Sequence, residues 1–353
     1  NTTPDADTVT SRRRHPERDA AVDMTARVGG LQLANPVMTA SGTAGHGAEL
    51  GAYFDLSRLG AVVVKSVSAD PWSGNPAPRL LPVAGGMLNS VGLQNPGMEA
   101  WLLRDLPDLA RAGARVVVSV WGRTVADYAE VGRRLARGLA GRGPVPPAGR
   151  AGGTVVAVEA NISCPNIEDR QRMFSHSPEG TGAALEALAG ALEPTGLPIW
   201  AKLSPNVTDL VAIARAALAS GASALTLVNT LMGMAIDPST GLARLGAGGG
   251  GLSGPALHPV AVRAVYECRR ALPAAAIIGV GGIVTGRDAA EMLCAGADAL
   301  QVGTATFVDP RAPLRVLEEL VAWCASEGVE RLGELSGRSH RVTPAGSAGP
   351  GVG

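Results

Sequence analysis

The sequence has few cysteines, no net charge and no long uninterrupted apolar run. Its four cysteines, Cys164, Cys268, Cys294 and Cys324, form no C-x-x-C pair, so their spacing predicts neither a zinc site nor an iron–sulfur site. They suggest no disulfide framework either, and we expect a reducing, cytoplasmic environment. The 31 basic and 31 acidic side chains cancel, which argues against nucleic acid or an anionic membrane as partner. Every long apolar stretch is interrupted by charge, glycine or proline, so no membrane-spanning helix is predicted.

The composition predicts one large folded domain with two polar tails. The chain has 353 residues, of which 46% are hydrophobic, and can bury a sizeable core. Residues 1–23 are polar and charged without periodicity, and residues 336–353 are rich in serine, glycine and proline, so both segments are predicted to be disordered tails. Residues 24–335 have the length of a single barrel of about 250 residues with insertions.

Apolar runs of strand length alternate with longer segments of helical pattern in this region. The runs are continuous, as in strands that are buried on both faces. Repeated β-then-α units predict an α/β fold, with a parallel sheet closed into a (β/α)8 TIM barrel. The predicted strands are Pro36–Ala40, Ala61–Val67, Arg115–Val120, Val155–Ile162, Pro198–Leu203, Ser223–Val228, Ala276–Val280 and Asp298–Val302. A doubly wound open sheet is the alternative, but its dinucleotide fingerprint would need a glycine where Val284 stands.

Helix signals support the same alternation. Thr124 with Asp127, and Thr285 with Asp288, have the spacing of a capping box. Apolar residues within 207–220 repeat at the spacing of one helical face. These signals predict three of the helices that connect the strands.

Two connections are longer than a minimal barrel needs. Residues 70–97 follow the second predicted strand, and residues 231–254 follow the sixth. Long loops after barrel strands usually build or cover the active site. We therefore expect both insertions to lie over the mouth of the barrel.

All of the predicted strands end in a small, polar or cationic group, at the end of the barrel where catalysis takes place. These groups are Ser41-Gly42, Lys65-Ser66, Ser119, Asn161 to Cys164, Lys202, Asn229-Thr230, Gly281-Gly282 and Gly303-Thr304. The glycines after the last two strands predict a phosphate site, because their backbone N–H groups are open to a ligand. The two lysines predict an anionic ligand, since a desolvated ammonium needs compensation.

Cys164 lies just after the fourth predicted strand, with amide side chains on both sides and Pro165 to rigidify its loop. No histidine is near it in the motif, which favours an acid–base role over a Cys–His nucleophile. The other three cysteines are interpreted as small buried hydrophobes. Four asparagines can both donate and accept hydrogen bonds and would together suit a planar ring with carbonyl and N–H groups. They are Asn89, Asn161, Asn166 and Asn229.

Nine segments in order resemble the dihydroorotate dehydrogenase family, class 1, over residues 28–325. They are T-A-S-G-T at 39–43, V-K-S-V at 64–67, N-S-V-G-L-Q-N-P-G at 89–97, N-I-S-C-P-N at 161–166, K-L-S-P-N at 202–206, N-T-L-M-G-M-A-I-D at 229–237, G-G-L-S-G-P-A at 250–256, G-V-G-G-I at 279–283 and V-G-T-A at 302–305. The cysteine in the fourth segment is typical of class 1, since class 2 carries serine there. Thr230 resembles class 1B, whereas class 1A usually has serine at this position.

The resemblance implies a role for each matching residue. Cys164 would be the base that takes the C5 proton of dihydroorotate while the C6 hydride passes to FMN. The residues implied to bind orotate are Lys65, Asn89, Ser90, Val91, Gly92, Leu93, Asn161, Asn229 and Thr230, with Asn166 in addition. The residues implied to bind FMN are Ser41, Lys65, Ser66, Ser119, Asn161, Lys202, Val228, Gly254, Gly281, Gly282, Gly303 and Thr304. Ser119 stands where the family often has asparagine, and Lys202 is expected to stabilise the negative charge of the reduced flavin.

Class 1B further implies a role in de novo pyrimidine biosynthesis, with electrons passed to NAD by a partner subunit that carries FAD and a [2Fe–2S] cluster. We expect a homodimer of this chain within a heterotetramer. A class 1A-like enzyme that reduces fumarate is the second possibility. A dihydropyrimidine dehydrogenase-like barrel carries a similar cysteine loop, but its substrates lack the carboxylate that Lys65 would bind. A non-catalytic flavin- or phosphate-binding barrel would leave Cys164 and the asparagines unexplained.

Overall fold

The computed structural model describes residues 22–140, 154–163 and 173–342. Its centre is a ring of eight parallel strands, and an additional bridge between Met38 and Ala61 joins the two ends of the sheet. In order around the ring the strands are β3 (Val37–Thr39), β14 (Ala299–Val302), β13 (Ile277–Val280), β10 (Ala224–Leu227), β9 (Ile199–Leu203), β8 (Val155–Asn161), β7 (Val116–Val120) and β4 (Val62–Val63). Each lies within one of the predicted strands, and the (β/α)8 prediction is confirmed.

Helices connect consecutive barrel strands in most of the described chain. They are α1 (Met98–Arg111), α2 (Val125–Ala140), α3 (Pro178–Leu192), α4 (Leu210–Ala219), α5 (His258–Ala271) and α6 (Gly286–Ala295), and two more helices, α7 (Ala305–Val308) and α8 (Ala312–Ser326), follow the last strand. The connection from β3 to β4 differs, because it contains short 3-10 turns at Glu49–Ala52 and Leu56–Arg58. None of the helices in the described ranges is long and apolar enough to cross a membrane.

The two capping boxes and the apolar helix face that the sequence predicts are present in the structure. The Thr124 hydroxyl accepts a hydrogen bond from the backbone N–H of Asp127, whose carboxylate accepts one from the N–H of Thr124. The same reciprocal pair joins Thr285 and Asp288 at the start of α6. On α4 the apolar face is buried against the barrel. The three helix predictions are confirmed.

The two long insertions form a second sheet, which the sequence analysis did not predict. Residues 70–97 contribute β5 (Leu80–Val83) and β6 (Gly86–Asn89), and residues 231–254 contribute β11 (Leu231–Gly233) and β12 (Gly250–Ser253). These four antiparallel strands, which we call the cover sheet, are ordered β11-β12-β6-β5. Glycine conceals the strands in the sequence, because it is depleted in strands and carries no side chain to show alternation.

The opposite end of the barrel is closed by a hairpin of β1 (Ala26–Val28) and β2 (Leu31–Leu33). The carbonyl of Gln32 accepts a hydrogen bond from Arg115, just before β7, and Gly29 lies against Ser223, just before β10. Most of the predicted N-terminal tail, residues 1–21, lies outside the described residues.

The predicted C-terminal tail begins at residue 336, and its first residues are packed on the barrel. The N–H of Gly337 donates to the carbonyl of Leu293 at 2.9 Å, and the ring of His340 stacks on Tyr266 with 4.2 Å between centroids. The packed part of the chain therefore extends beyond the predicted boundary at residue 335. Residues 343–353 lie outside the described residues.

Candidate active site

A cavity of about 490 Å³ opens at the carboxyl ends of the barrel strands, between the barrel and the cover sheet. Its size is typical of a site for a small molecule or cofactor. The predicted ligand-binding residues that line it are Ser41, Lys65, Ser66, Asn89, Ser90, Val91, Gly92, Leu93, Asn161, Lys202, Val228, Asn229, Thr230, Gly254, Gly281, Gly282, Gly303 and Thr304. Cys164 and Asn166 lie outside the described residues, whereas Ser163, directly before Cys164, also lines the cavity.

Ser119 is the described site residue that does not line the cavity. It is completely buried at the end of β7, and its hydroxyl lies 3.1 Å from that of Ser41 and 2.9 Å from that of Ser66. The Ser66 hydroxyl also accepts a hydrogen bond from Asn161 Nδ2 at 3.2 Å. Ser119 therefore supports lining side chains from behind, and a direct contact of its own with flavin stays a prediction.

Two asparagines, one at the end of β8 and one just after β10, extend this network into the cavity. Asn229 Nδ2 donates to Asn161 Oδ1 at 3.2 Å, and Asn229 Oδ1 accepts from the N–H of Thr230 at 2.8 Å. These contacts fix the orientation of both amides, so a ligand meets donors and acceptors that are already placed.

Glycines shape the end of the cavity next to β13 and β14. Gly282 has a φ of 65°, and a Cβ there would lie 2.8 Å from the carbonyl oxygen of Gly254. Gly254 itself has a φ of 97°. His258, which the sequence analysis did not single out, contacts the carbonyl oxygen of Gly281 through Nδ1 at 2.8 Å. Gly281, Gly282 and Gly303 line the cavity, and their backbone N–H groups, with no side chains beside them, suit a phosphate.

Residues Asn89 to Leu93 form another wall of the cavity, and hydrogen bonds hold their loop in one conformation. Leu93 has a φ of 62°, an unusual value for a residue with a side chain. Asn95 Nδ2 donates to the carbonyl of Leu93 at 2.9 Å, and Trp72 Nε1 donates to that of Gly92 at 3.0 Å. Strained backbone that the surroundings stabilise is frequent in ligand-binding sites.

Lys65 is a half-buried cation at the end of β4. Burial, and then the positive charge of Arg79, lower the pKa of Lys65 from its usual value. Burial and the charge of Lys65 lower the pKa of the nearby His46 to about 4, so this imidazole is neutral near pH 7. The surroundings of Lys65 thus oppose its charge, and an anionic ligand would stabilise it.

Lys202 is more deeply buried, with 5% of its surface exposed, and lies near an acidic residue. Its Nζ is 3.8 Å from Oε1 of Glu159, which is completely buried. The other carboxylate oxygen of Glu159 accepts hydrogen bonds from Thr226 Oγ1 at 3.1 Å and from Gln301 Nε2 at 2.6 Å. The cavity therefore contains two lysines with different electrostatic surroundings.

Comparison with known proteins agrees with this geometry. The family model described as dihydroorotate dehydrogenase matches residues 23–323. The chain belongs to the dihydroorotate dehydrogenase family. Curated relatives are named dihydroorotate dehydrogenase B (NAD(+)), catalytic subunit. The one from Geobacter sp. (strain M21) is 44% identical over 89% of this chain and 97% of the relative. Those from Alkaliphilus metalliredigens (43% identical; 90% and 98%) and Desulforudis audaxviator (46% identical; 89% and 97%) are similar.

These relatives confirm the resemblance to class 1B that was read from the sequence. Within this member of the dihydroorotate dehydrogenase family, the residues missed by the sequence analysis are mainly those of the barrel interior. One feature of the sequence could have indicated a polar group in the barrel interior: Glu159 is the only charged residue in the apolar run from Val155 to Ile162. Its partners Thr226 and Gln301 are distant in sequence, and only the closed ring brings them to it.

Proposed function

We propose that this chain is the catalytic subunit of a class 1B dihydroorotate dehydrogenase. It oxidises dihydroorotate to orotate in de novo pyrimidine biosynthesis, and a partner subunit passes the electrons to NAD. The observation that carries this proposal is the convergence of the strand-end residues and of residues Asn89 to Leu93 on one cavity. Lys65 supplies a cation for the carboxylate of the substrate, and Asn161 and Asn229 supply oriented amides for its ring.

The residues of the cavity fit FMN, the cofactor of this family. Gly281, Gly282 and Gly303 line the cavity with backbone that can approach a phosphate closely. Lys202 supplies a buried positive charge at the end of β9. When bound, FMN would supply the acceptor for the hydride that leaves C6 of dihydroorotate. The residues of this chain bind both molecules and remove the C5 proton.

We assign removal of that proton to Cys164. A thiol with a pKa of about 8.5, tunable by nearby cations, suits a base near neutral pH. Ser163, the residue before Cys164 in the sequence, lines the cavity. The other three cysteines suit this role less well. Burial raises the pKa of Cys268 to about 12 and that of Cys324 to about 11, and it also raises the pKa of Cys294.

Substitution of the proposed base tests this function directly. We expect Cys164→Ala to retain FMN but to lose about 10²–10⁴-fold in the rate of flavin reduction by dihydroorotate, the usual contribution of a general base. Anaerobic stopped-flow absorbance measures this rate. Cys294→Ala, on α6, is the matched control and should behave as the wild type. A near wild-type rate in Cys164→Ala would show that the base is another group.

The proposed partner carries FAD and a [2Fe–2S] cluster and binds a dimer of this chain to form a heterotetramer. Exposed apolar side chains of the segment that begins with β11, Met232, Met234 and Ile236, support docking near the cavity, since such groups are common in interaction surfaces. Cys268, Cys294 and Cys324 are free thiols, which suits the cytoplasm as the location.

The acceptor is tested with the purified chain alone. With dihydroorotate and NAD, we expect reduction of the bound flavin but no rapid formation of NADH, because the electrons need the partner to reach NAD. Rapid NADH formation by the chain alone would contradict the partner proposal. Efficient turnover with fumarate would instead identify a class 1A-like enzyme.

A further inference from the structure

The interior of the barrel below the cavity contains a polar cluster of Glu159, Thr226 and Gln301. These residues lie on β8, β10 and β14, and all three are completely buried. Since β8 and β14 lie opposite each other in the ring, the hydrogen bond from Gln301 to Glu159 crosses the barrel. Thr226 is the register partner of Lys202 on the neighbouring strand, so the cluster lies close to the end of the barrel that binds ligands.

The cluster holds a negative charge next to Lys202. One oxygen of Glu159 is fixed by the two hydrogen bonds from Thr226 and Gln301. The other, Oε1, has no hydrogen-bond partner within the described ranges and lies 3.8 Å from Lys202 Nζ. A buried carboxylate is costly unless a positive charge balances it. The two groups therefore compensate each other, and their summed charge is close to zero.

The two charges are placed differently with respect to the proposed cofactor. Lys202 lines the cavity, whereas Glu159 is not among the lining residues and lies behind it. Reduction adds negative charge to FMN, and a lone buried lysine would strongly favour the reduced form. The carboxylate behind Lys202 opposes this effect.

We propose that Glu159 is a positioning residue that acts through Lys202: it holds the ammonium at the cavity, offsets its charge and thereby lowers the reduction potential of the bound FMN. This inference rests on the proposed function, since it requires FMN in this cavity. A lower potential favours onward transfer of electrons, which is useful in an enzyme whose final acceptor is the weak oxidant NAD.

The test is the midpoint potential of bound FMN in a set of variants, measured by anaerobic redox titration. Glu159→Gln removes the charge and keeps the shape of the side chain. We expect its potential to be higher than that of the wild type by about 30 mV or more, which corresponds to a tenfold change in the relative affinity for reduced and oxidised FMN. Thr226→Val is the matched control, because it alters the same cluster and keeps both charges. Its potential should change less.

Lys202→Met and the double variant Glu159→Gln/Lys202→Met complete the set. Lys202→Met leaves the carboxylate alone and should have the lowest potential, whereas the double variant removes both charges and should lie between it and Glu159→Gln. If Glu159→Gln does not fold, the midpoint potentials of Lys202→Met and the double variant still test the proposal. A double variant with a potential no higher than that of Lys202→Met would overturn it. A potential of Glu159→Gln equal to or below that of the wild type would overturn it as well.

This outcome is separate from the test of the proposed function. If the wild-type chain does not bind FMN, the proposed function fails. If the wild type binds FMN and dihydroorotate reduces it, but Glu159→Gln leaves the potential unchanged, only the role of Glu159 fails.

Discussion

The two lysines of the cavity illustrate how the same residue type serves different purposes at two strand ends. Lys65, at the end of β4, is half-buried, and the influences on its pKa, burial and Arg79, both oppose its charge. Lys202, at the end of β9, is almost completely buried and has the carboxylate of Glu159 at 3.8 Å. An anion that binds at Lys65 therefore interacts with a positive charge that the protein does not compensate. The charge of Lys202 is already largely balanced by Glu159.

This difference indicates that the two lysines have different functions. Lys65 suits a substrate that carries its own carboxylate and enters and leaves in every turnover. Lys202 suits a resident cofactor whose charge changes during the reaction, since a balanced pair stabilises neither redox form too strongly. Three experiments test this distinction.

The largest effect is expected from Lys65→Met, which removes the cation and keeps most of the side chain. The affinity for orotate should fall by about ten- to one-hundred-fold, since a hydrogen bond to a charged group contributes roughly 1.5–3 kcal/mol. Affinity is measured by titration of the flavin absorbance. Uracil, which lacks the carboxylate, is the control ligand, and its affinity should change little. An equal loss for both ligands would show that Lys65 does not recognise the carboxylate.

A smaller, graded effect is expected from pH. Only the protonated form of Lys65 attracts orotate, so the affinity of the wild type should be full below the pKa of Lys65 and should fall as the pH rises through it. Because burial lowers this pKa, the fall should begin below the usual value for lysine, 10.5. Lys65→Arg stays charged and reports any other titrating group. Identical pH profiles for the two proteins would exclude titration of Lys65 as the cause.

The smallest effect on ligand binding is expected from Thr226→Val, which removes one hydrogen bond from the Glu159 carboxylate. The free energy of unfolding should fall by about 1.5–3 kcal/mol, the usual contribution of a hydrogen bond to a charged group. Urea denaturation of the FMN-loaded protein measures this change. The affinity for orotate, which depends on Lys65, should stay the same. A large loss of orotate affinity would show that the two lysines are not independent.

The barrel could be predicted from sequence because each of its strands is a continuous apolar run. Such a run can be recognised as a strand without knowing which other strands it pairs with. The residues at the strand ends could be predicted for the same reason, once the ends were located. The cover sheet could not, because β12 begins in a run of glycines and its pairing partner β6 lies about 160 positions away in the chain. The polar cluster below Lys202 was missed because its hydrogen bonds join strands that are not adjacent in the ring.

The most direct measurement is the reduction of bound FMN under anaerobic conditions, with dihydroorotate and dihydrouracil offered separately to the purified chain. Both molecules present the same ring, but only dihydroorotate carries the carboxylate that Lys65 would bind. We expect dihydroorotate to bleach the flavin absorbance rapidly and dihydrouracil at the same concentration to do so far more slowly. Equal rates with both substrates, or no bleaching with dihydroorotate, would contradict this expectation.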